Sequence, residues 1–472
     1  MKRTVMATEL WRMGALDLAA AIRSRQVSSR EVVEAHLRRI DAINPAVNAV
    51  TVVLAVQAFD AAEAADRAVA AGADLGRLHG VPFTVKGNID LAGTATTWGA
   101  RVLAGAYPKM DAPVVERMRA AGAIPIGHTN LPTFAVRWHT DSELWGATIN
   151  PWDRTRTPGA SSGGEAVALS TGMSPLGLGN DTLGSLRWPA GCCGVLALKP
   201  TLGRIPNATT VEPVDGPIGG QLAGVQGPMG RRIGDLCAAY EILSGPTWRD
   251  PWTVPVPLRG PEPARPVRVA LVLDPAGQRS ARQVRDGLLK AAAALQDAGY
   301  VVDEVEPPAV DAAARTLLDM LNPPGAGPED LELAFPSAPP DTKRFLVAFY
   351  QAAGDPDPTT MRTFATRQAL QRAWGRFQET HPLILAPIYT DVPFRAGTDL
   401  DEGHVAETIR GMPMTLAVNA LGLPAVAVPV GDSEGLPQSV QLIGARYRED
   451  LCLDAAAAIG DRIEPITPID PQ

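Results

Sequence analysis

The sequence predicts an α/β protein in which one large sheet carries helices on both faces. Short apolar, β-branched runs alternate with amphipathic helical stretches along most of its 472 residues, the pattern of strands covered by crossover helices. Residues 267–305 spell out one whole βαβ unit: a strand from Val267 to Leu273, a helix from Ala281 to Ala298 and a strand from Tyr300 to Val305. An apolar fraction of 46% and a charged fraction of 20% are ordinary for a globular chain able to bury such a core.

The elements follow in order. Ser28 and Glu31 have the spacing of a capping box, and Val32, Val33, Leu37 and Ile40 then form an apolar stripe predicted to end at Asn44-Pro45. An alanine-rich helix runs from Ala55 to Ala71 and stops at Gly72. Gly80 to Lys86 is a short strand ending in a lysine, Pro113 to Ala121 a helix with Gly122 placed to end it, and Ile124 to Ile126 a strand. Between Gly159 and Pro200 lie two small-residue clusters, Ala160-Ser161-Ser162-Gly163-Gly164 and Asp181-Thr182-Leu183-Gly184-Ser185, joined by a segment that reads as a short helix. A strand is expected near Val195 to Leu198. Pro and Trp cluster over residues 246–266, a long surface connection. The Pro/Gly/Asp-rich residues 322–341 read as a loop or lid, and helices are expected at 342–353 and 359–380. Strands at 383–387, 425–430 and 439–443 and a helix at 450–463 complete the chain.

Composition excludes several classes of function. A net charge of −8, with no basic block, argues against a nucleic-acid partner. Cys192, Cys193, Cys237 and Cys452 fit neither a zinc spacing nor a disulfide framework, so buried free thiols and a cytoplasmic location are expected. Glu9, Arg12 and Asp17 interrupt the first apolar stretch, which reads as an amphipathic helix and not as an export signal. No run approaches the roughly 18 apolar residues of a membrane span.

Small residues at 159–164 and 181–185 bring backbone amides close to a ligand or to other chain. Two serines among such amides fit hydroxyl chemistry backed by oxyanion donors, and they equally fit two Gly/Ser loops of a large α/β protein. None of the six histidines stands in a zinc-type HExxH, and Ser185 is not in a GxSxG elbow. His139 and Asp141, two residues apart on one segment, do not build a relay by themselves. Lysine is left as a base. Lys86 sits between Val85 and Gly87, where poor hydration would lower its proton affinity, although a lone lysine at a strand end is more often solvated.

The order and content of the motifs decide between these readings. Gly80-Val81-Pro82 with Lys86-Gly87, Gly159 to Gly164, and Gly179 to Pro189 closely resemble the amidase signature family. The likeness continues through Cys193-Gly194, Leu198 to Thr201, Gly203-Arg204, Gly227-Pro228-Met229, Gly422 to Ala425, Gly435 to Pro437 and Gln441 to Gly444, nearly the whole chain. The resemblance implies the amidase-signature fold, a large central twisted mixed β-sheet covered by helices on both faces. It implies one domain over residues 1–472, with an N-terminal helical part (1–75), a catalytic core (76–245), the Pro-rich connection and the remaining sheet and helices (267–472).

It also implies a machinery. The family's nucleophile falls on Ser185, its second serine, preceded by a cis peptide bond, on Ser161 24 positions earlier, and its lysine on Lys86. Neutral Lys86 would take a proton from Ser161, and Ser161 one from Ser185 as it attacks an amide carbonyl. The N–H groups of Thr182, Leu183, Gly184 and Ser185 would form the oxyanion hole, with Asp181 and Arg187 orienting them. Neither a metal nor a cofactor is called for.

Two departures stand out within the signature: Leu183 where relatives usually have glycine, and Asn180 in place of a more usual threonine. A third lies at Trp138-His139, where the glutaminase subunit of an amidotransferase has two serines. This style is closer to stand-alone amidases that take apolar or aryl amides, with carbamates also in view, than to a glutamine-handling subunit or a non-catalytic binding protein of the same fold. Trp138, His139, Trp145 and Leu183 are the expected pocket residues; Trp138, Trp145 and Trp188 read equally well as core tryptophans. A small amide or carbamate is thus the expected ligand, with no membrane or nucleic-acid partner and homo-oligomerisation left open.

Overall fold

The structure, a computed structural model, describes residues 7–321, 336–354 and 360–472. Its strands are β1 (Val50–Val53), β2 (Pro82–Lys86), β3 (Ile124–Thr129), β4 (Asp141–Ser142), β5 (Gly146–Ala147), β6 (Leu176–Asp181) and β7 (Leu196–Lys199). They continue with β8 (Val225–Gly230), β9 (Arg268–Leu271), β10 (Val301–Glu304), β11 (Leu383–Ala386), β12 (Ala425–Ser433) and β13 (Leu436–Gly444). Eleven of them form one mixed sheet in the order β1-β3-β2-β6-β8-β7-β12-β13-β11-β9-β10, and β4 and β5 make a separate hairpin. The predicted βαβ unit is present, with β9 and β10 parallel and the helix Arg282–Asp297 between them in sequence.

Period-two alternation sorts the strand residues onto two faces. Val426 and Val428 of β12, and Leu383 and Leu385 of β11, enter one apolar cluster with the helices Ala15–Arg23, Arg282–Asp297 and Glu449–Gly460. Their neighbours Ala425, Ala427, Ile384 and Ala386 enter the other, with the helices Ser29–Val47, Gly163–Ser170 and Pro413–Leu421. β2 is buried at every position because both faces are covered. Phe83 and Val85 belong to the first cluster, so Thr84 and Lys86 face the side of the helix Gly163–Ser170.

The capping box forms as expected: Glu31 N–H donates to Ser28 Oγ at 3.1 Å, and Ser28 N–H donates to Glu31 Oε2 at 2.7 Å. The helix does not stop at Asn44-Pro45, however. It continues through Pro45 to Val47 and ends at Asn48 in the left-handed region. Asn44 Oδ1 then accepts the N–H groups of Ala49 and Val50, both at 2.8 Å, and turns the chain into β1.

The sequence pattern does not predict strands β1, β6 and β8. β6 and β8 are rich in glycine because side chains press against them, which erases the alternating pattern. A Cβ on Gly177 would lie 1.8 Å from Glu165 Oε1, and one on Gly179 would lie 2.9 Å from Ser162 Oγ. Most of the expected lid, residues 322–335, lies outside the described residues, and the helix after it begins at Pro340. In the Pro-rich connection Trp248 is 87% exposed, in keeping with a surface segment.

Candidate active site

β2 and β6 are adjacent and parallel, with Thr84 opposite Gly177 and Val85 opposite Leu178. Lys86 and Asp181, their last residues, therefore emerge at the same edge of the sheet, the carboxyl end where open α/β sheets bind ligands. Asp181 leads through the turn 182–186 into the short helix Arg187–Cys193. The other serine cluster precedes the helix Gly163–Ser170, and Ser162 N–H donates to Ser185 O at 3.2 Å. The peptide bond Ala160–Ser161 is cis. Thr140 Oγ1 braces this loop by donating to Gly159 O at 2.7 Å.

Lys86 Nζ lies 2.7 Å from Ser161 Oγ and donates to Asn180 Oδ1 at 2.6 Å. Its burial is complete, and this desolvation pushes its pKa from 10.5 down to about 7, against the opposing pull of Asp181 and Glu165. Ser161 is 2% exposed and Ser185 9%, so of the three groups Ser185 is the one most open to an incoming molecule.

Glu165 occupies the floor beneath them. Its Oε2 accepts from Thr129 Oγ1 at 2.8 Å and its Oε1 from Thr84 Oγ1, so it ties β2 to β3 at the residues next to Lys86. Burial is the dominant influence and pushes Glu165 up to about 8 despite these hydrogen bonds and the nearby lysine.

The turn after β6 is held from within. Asp181 Oδ1 accepts Gly184 N–H at 2.8 Å and Oδ2 accepts Leu186 N–H at 3.2 Å. Burial would raise the Asp181 pKa, but Arg187, Lys199 and Asn419 together outweigh it and hold the carboxyl well below the usual range. Arg187 reaches Asp181 with two nitrogens and also donates to Gln441 Oε1 at 2.9 Å, Thr415 O at 3.1 Å and Asn419 Oδ1. The left-handed residue of the turn is Gly184 (φ 92°), where a Cβ would stand 2.6 Å from Thr415 Cγ2. Leu183 needs no such conformation, which explains how leucine is accommodated there. Gly184 N–H is already bonded to Asp181, so it differs from the four-donor expectation: Thr182, Leu183 and Ser185 are the other amides of the turn.

The expected pocket residues differ in their surroundings. Trp138 is buried edge-on against Phe345 and Phe349, at 5.4 and 5.9 Å between ring centroids. Trp188 is buried against Tyr389 and Phe394, and its Nε1 donates to Trp138 O at 3.2 Å. Both are core side chains. His139 is buried with Nδ1 3.1 Å from Thr157 Oγ1, and burial lowers its pKa; Asp141 is engaged by Arg137 at 3.4 Å. Trp145 is exposed at the β4–β5 turn. Leu183, half-buried in the turn beside Ser185, is the member of the set that the turn itself carries. The sequence does not point to Asn88, Glu165, Thr415 or Asn419; it marks Asn180 only as a departure and Gln441 only as part of a motif.

Among the described residues no group of three or more His, Cys, Asp or Glu side chains gathers as a metal site, and no helix is long and apolar enough to cross a membrane. The four cysteines are unpaired.

A buried amine on one serine, beside a second serine on a turn of backbone amides, is an arrangement that fits the class of the serine hydrolases. Comparison with known proteins supplies the family. The amidase family model matches residues 31–453, and the chain belongs to that family, the amidase-signature amidohydrolases. It is 42% identical over 457 residues to an indoleacetamide hydrolase of Bradyrhizobium diazoefficiens, a match covering 96% of this chain and 87% of that one. One component of the glutamyl-tRNA(Gln) amidotransferase of Symbiobacterium thermophilum is 32% identical over 462 residues, 92% of this chain and 93% of that one. Among solved structures, a 6-aminohexanoate cyclic dimer hydrolase with its substrate superposes with a TM-score of 0.82 at 27% identity, covering 98% of this chain and 99% of that one.

Proposed function

We propose that this enzyme hydrolyses small non-peptide amides with an apolar or aryl group, with carbamates of aromatic amines as a second substrate class, through an acyl-enzyme on Ser185. The observation that carries this reading is the buried Lys86 Nζ at 2.7 Å from Ser161 Oγ, in surroundings that release the lysine's proton near pH 7. Neutral Lys86 accepts the Ser161 proton as Ser161 accepts that of Ser185, and Ser185 Oγ attacks the carbonyl carbon. The negative charge that develops on the carbonyl oxygen meets the N–H groups that the turn leaves free of Asp181, those of Thr182, Leu183 and Ser185. Ser161 then delivers a proton to the leaving amine, and water resolves the ester by the same relay run again.

The 42% identical indoleacetamide hydrolase supports an arylalkyl amide as substrate. Trp138-His139, where the glutaminase component of an amidotransferase has two serines, argues against a glutamine-handling role. Residues 1–472 work as one catalytic domain in this reading, since Thr415, Asn419 and Gln441 hold the turn that bears Ser185. A cytoplasmic location agrees with the unpaired cysteines. The test is a panel of indoleacetamide, anilides, aliphatic amides, esters and aryl carbamates on the wild type and on Ser185→Ala. The variant should stay folded and lose all turnover on every substrate; wild-type turnover by that variant would overturn the assignment.

A further inference from the structure

The amine of Lys86 has a second neighbour that the relay does not use. Asn180 Oδ1 takes an N–H from it at 2.6 Å, and Asn180 Nδ2 donates to Asn88 Oδ1 at 2.9 Å. The amide thus turns its oxygen to the lysine and its nitrogen to Asn88. Asn88 is 5% exposed and stands two residues beyond Lys86 in the loop after β2. The amine, the amide and its anchor therefore form one chain of bonds from β2 to β6 and back.

A neutral amine carries two N–H bonds and one lone pair. To act as a base toward Ser161 it must present the lone pair to the Ser161 hydroxyl, and a free rotor offers N–H as readily. A fixed acceptor at Asn180 narrows that choice: with one N–H claimed, the amine has only one N–H and its lone pair left to turn toward Ser161. We propose that Asn180, held by Asn88, is a positioning residue that turns the Lys86 amine so that its lone pair meets Ser161. This rests on the relay described above and assigns a role to the residue that departs from the usual threonine.

The same acceptor also favours the ammonium form. The charged and titratable groups around Lys86 are few. Glu165 faces it from the helix Gly163–Ser170, and Asp181 from the end of β6 with Arg187 and Lys199 behind it. His128 of β3 is kept neutral by burial, its pKa pushed down to about 4, with its nitrogens 3.1 Å from Val85 O and 2.7 Å from Thr94 Oγ1. Asp90, further along the loop after Asn88, is taken up by Thr96, Thr209 and Thr210. None of these bonds the amine, so Asn180 is where a small change acts on it most directly.

The experiment measures kcat/KM against pH from 5 to 10 on an anilide that the wild type turns over. Asn180→Ala should move the acid limb to lower pH and cut the plateau rate by roughly ten- to a hundredfold, the cost of a misdirected base. Asn180→Asp, which places a carboxylate on the amine, should move the same limb upward by about one unit or more. Asn88→Ala should shift it in the direction of Asn180→Ala, by less. Circular dichroism and thermal melting check folding, and should Asn180→Asp not fold, the two alanine variants decide. An acid limb unchanged in folded Asn180→Ala and Asn88→Ala would overturn the proposal, whatever the loss in rate. Full activity in Lys86→Ala would instead overturn the relay itself.

Discussion

Arg187 closes on Asp181 through both carboxylate oxygens, Nε to Oδ2 at 3.1 Å and an Nη to Oδ1 at 3.3 Å, with neither side chain reaching solvent. The pair does more than neutralise two charges. Asp181 also accepts Asn419 Nδ2–H at 2.9 Å, Gly184 N–H and Leu186 N–H, so the turn around Ser185 takes its shape from a carboxylate that arginine keeps ionised.

Replacing Arg187 with methionine keeps much of the stem and strands that carboxylate. Breaking one side of a buried pair costs about 3–5 kcal/mol. Urea unfolding of Arg187→Met should show a loss of that order together with a fall in kcat. A loss under about 1 kcal/mol would mean the turn stands without the pair.

Activity should follow the charge on Lys86. Burial brings its pKa down to about 7, so kcat/KM rises with pH through that region as the amine becomes neutral. Lys86→Arg should be inactive at every pH, because a guanidinium does not give up its proton. Lys86→Ala should be nearly inactive and partly rescued at high pH. A flat wild-type profile between pH 5 and 9 would contradict the amine as base.

Leu183 should govern acyl-group choice. It is half-buried two residues before Ser185 and packs against the apolar cluster on its side of the sheet. Leu183→Gly opens that space, and the preference for bulky over small acyl groups should change by roughly 10–200-fold in kcat/KM ratio. Equal changes for acetyl, benzoyl and arylacetyl amides would place Leu183 outside the acyl site.

Glu165 should leave a signature in stability. Its pKa rises from 4.5 to about 8 on folding, so between those values the folded chain holds a proton that the unfolded chain has released. Stability contributed by this group is therefore lost as pH rises from about 4.5 to 8. Glu165→Gln removes that slope, so its melting temperature relative to the wild type should climb from pH 5 to pH 8 and then level off. A difference that does not vary with pH would mean Glu165 is ionised in the folded protein.

How far the sequence reveals all this depends on how local the cause is. The capping box of Ser28 and Glu31 needs four consecutive residues and is legible directly. Lys86, Ser161 and Ser185 can be named because motif order carries information that periodicity lacks. β6 is hidden because Glu165 and Ser162 fill the space its side chains would occupy, leaving glycines where a strand shows alternation. Asn419 and Gln441 lie 232 and 254 residues from Arg187, and no local pattern announces a partner at that distance. The tryptophans are ambiguous for the opposite reason: proximity in sequence to the signature says nothing about which way a ring points.

The pairing of β2 with β6 bears on how the enzyme comes to life. Lys86 meets Ser161 and Asn180 across 75 and 94 residues of chain, through strands that do not adjoin in sequence. Parallel pairing over such separations is slow and comes only after long loops have closed. Lys86 and Ser185 are therefore not expected to meet in a fragment or an early collapsed state, and a half-folded chain should be silent toward amides. Turnover regained during refolding would thus serve as a clock for registration of the central strands, and it should lag behind the return of helical signal.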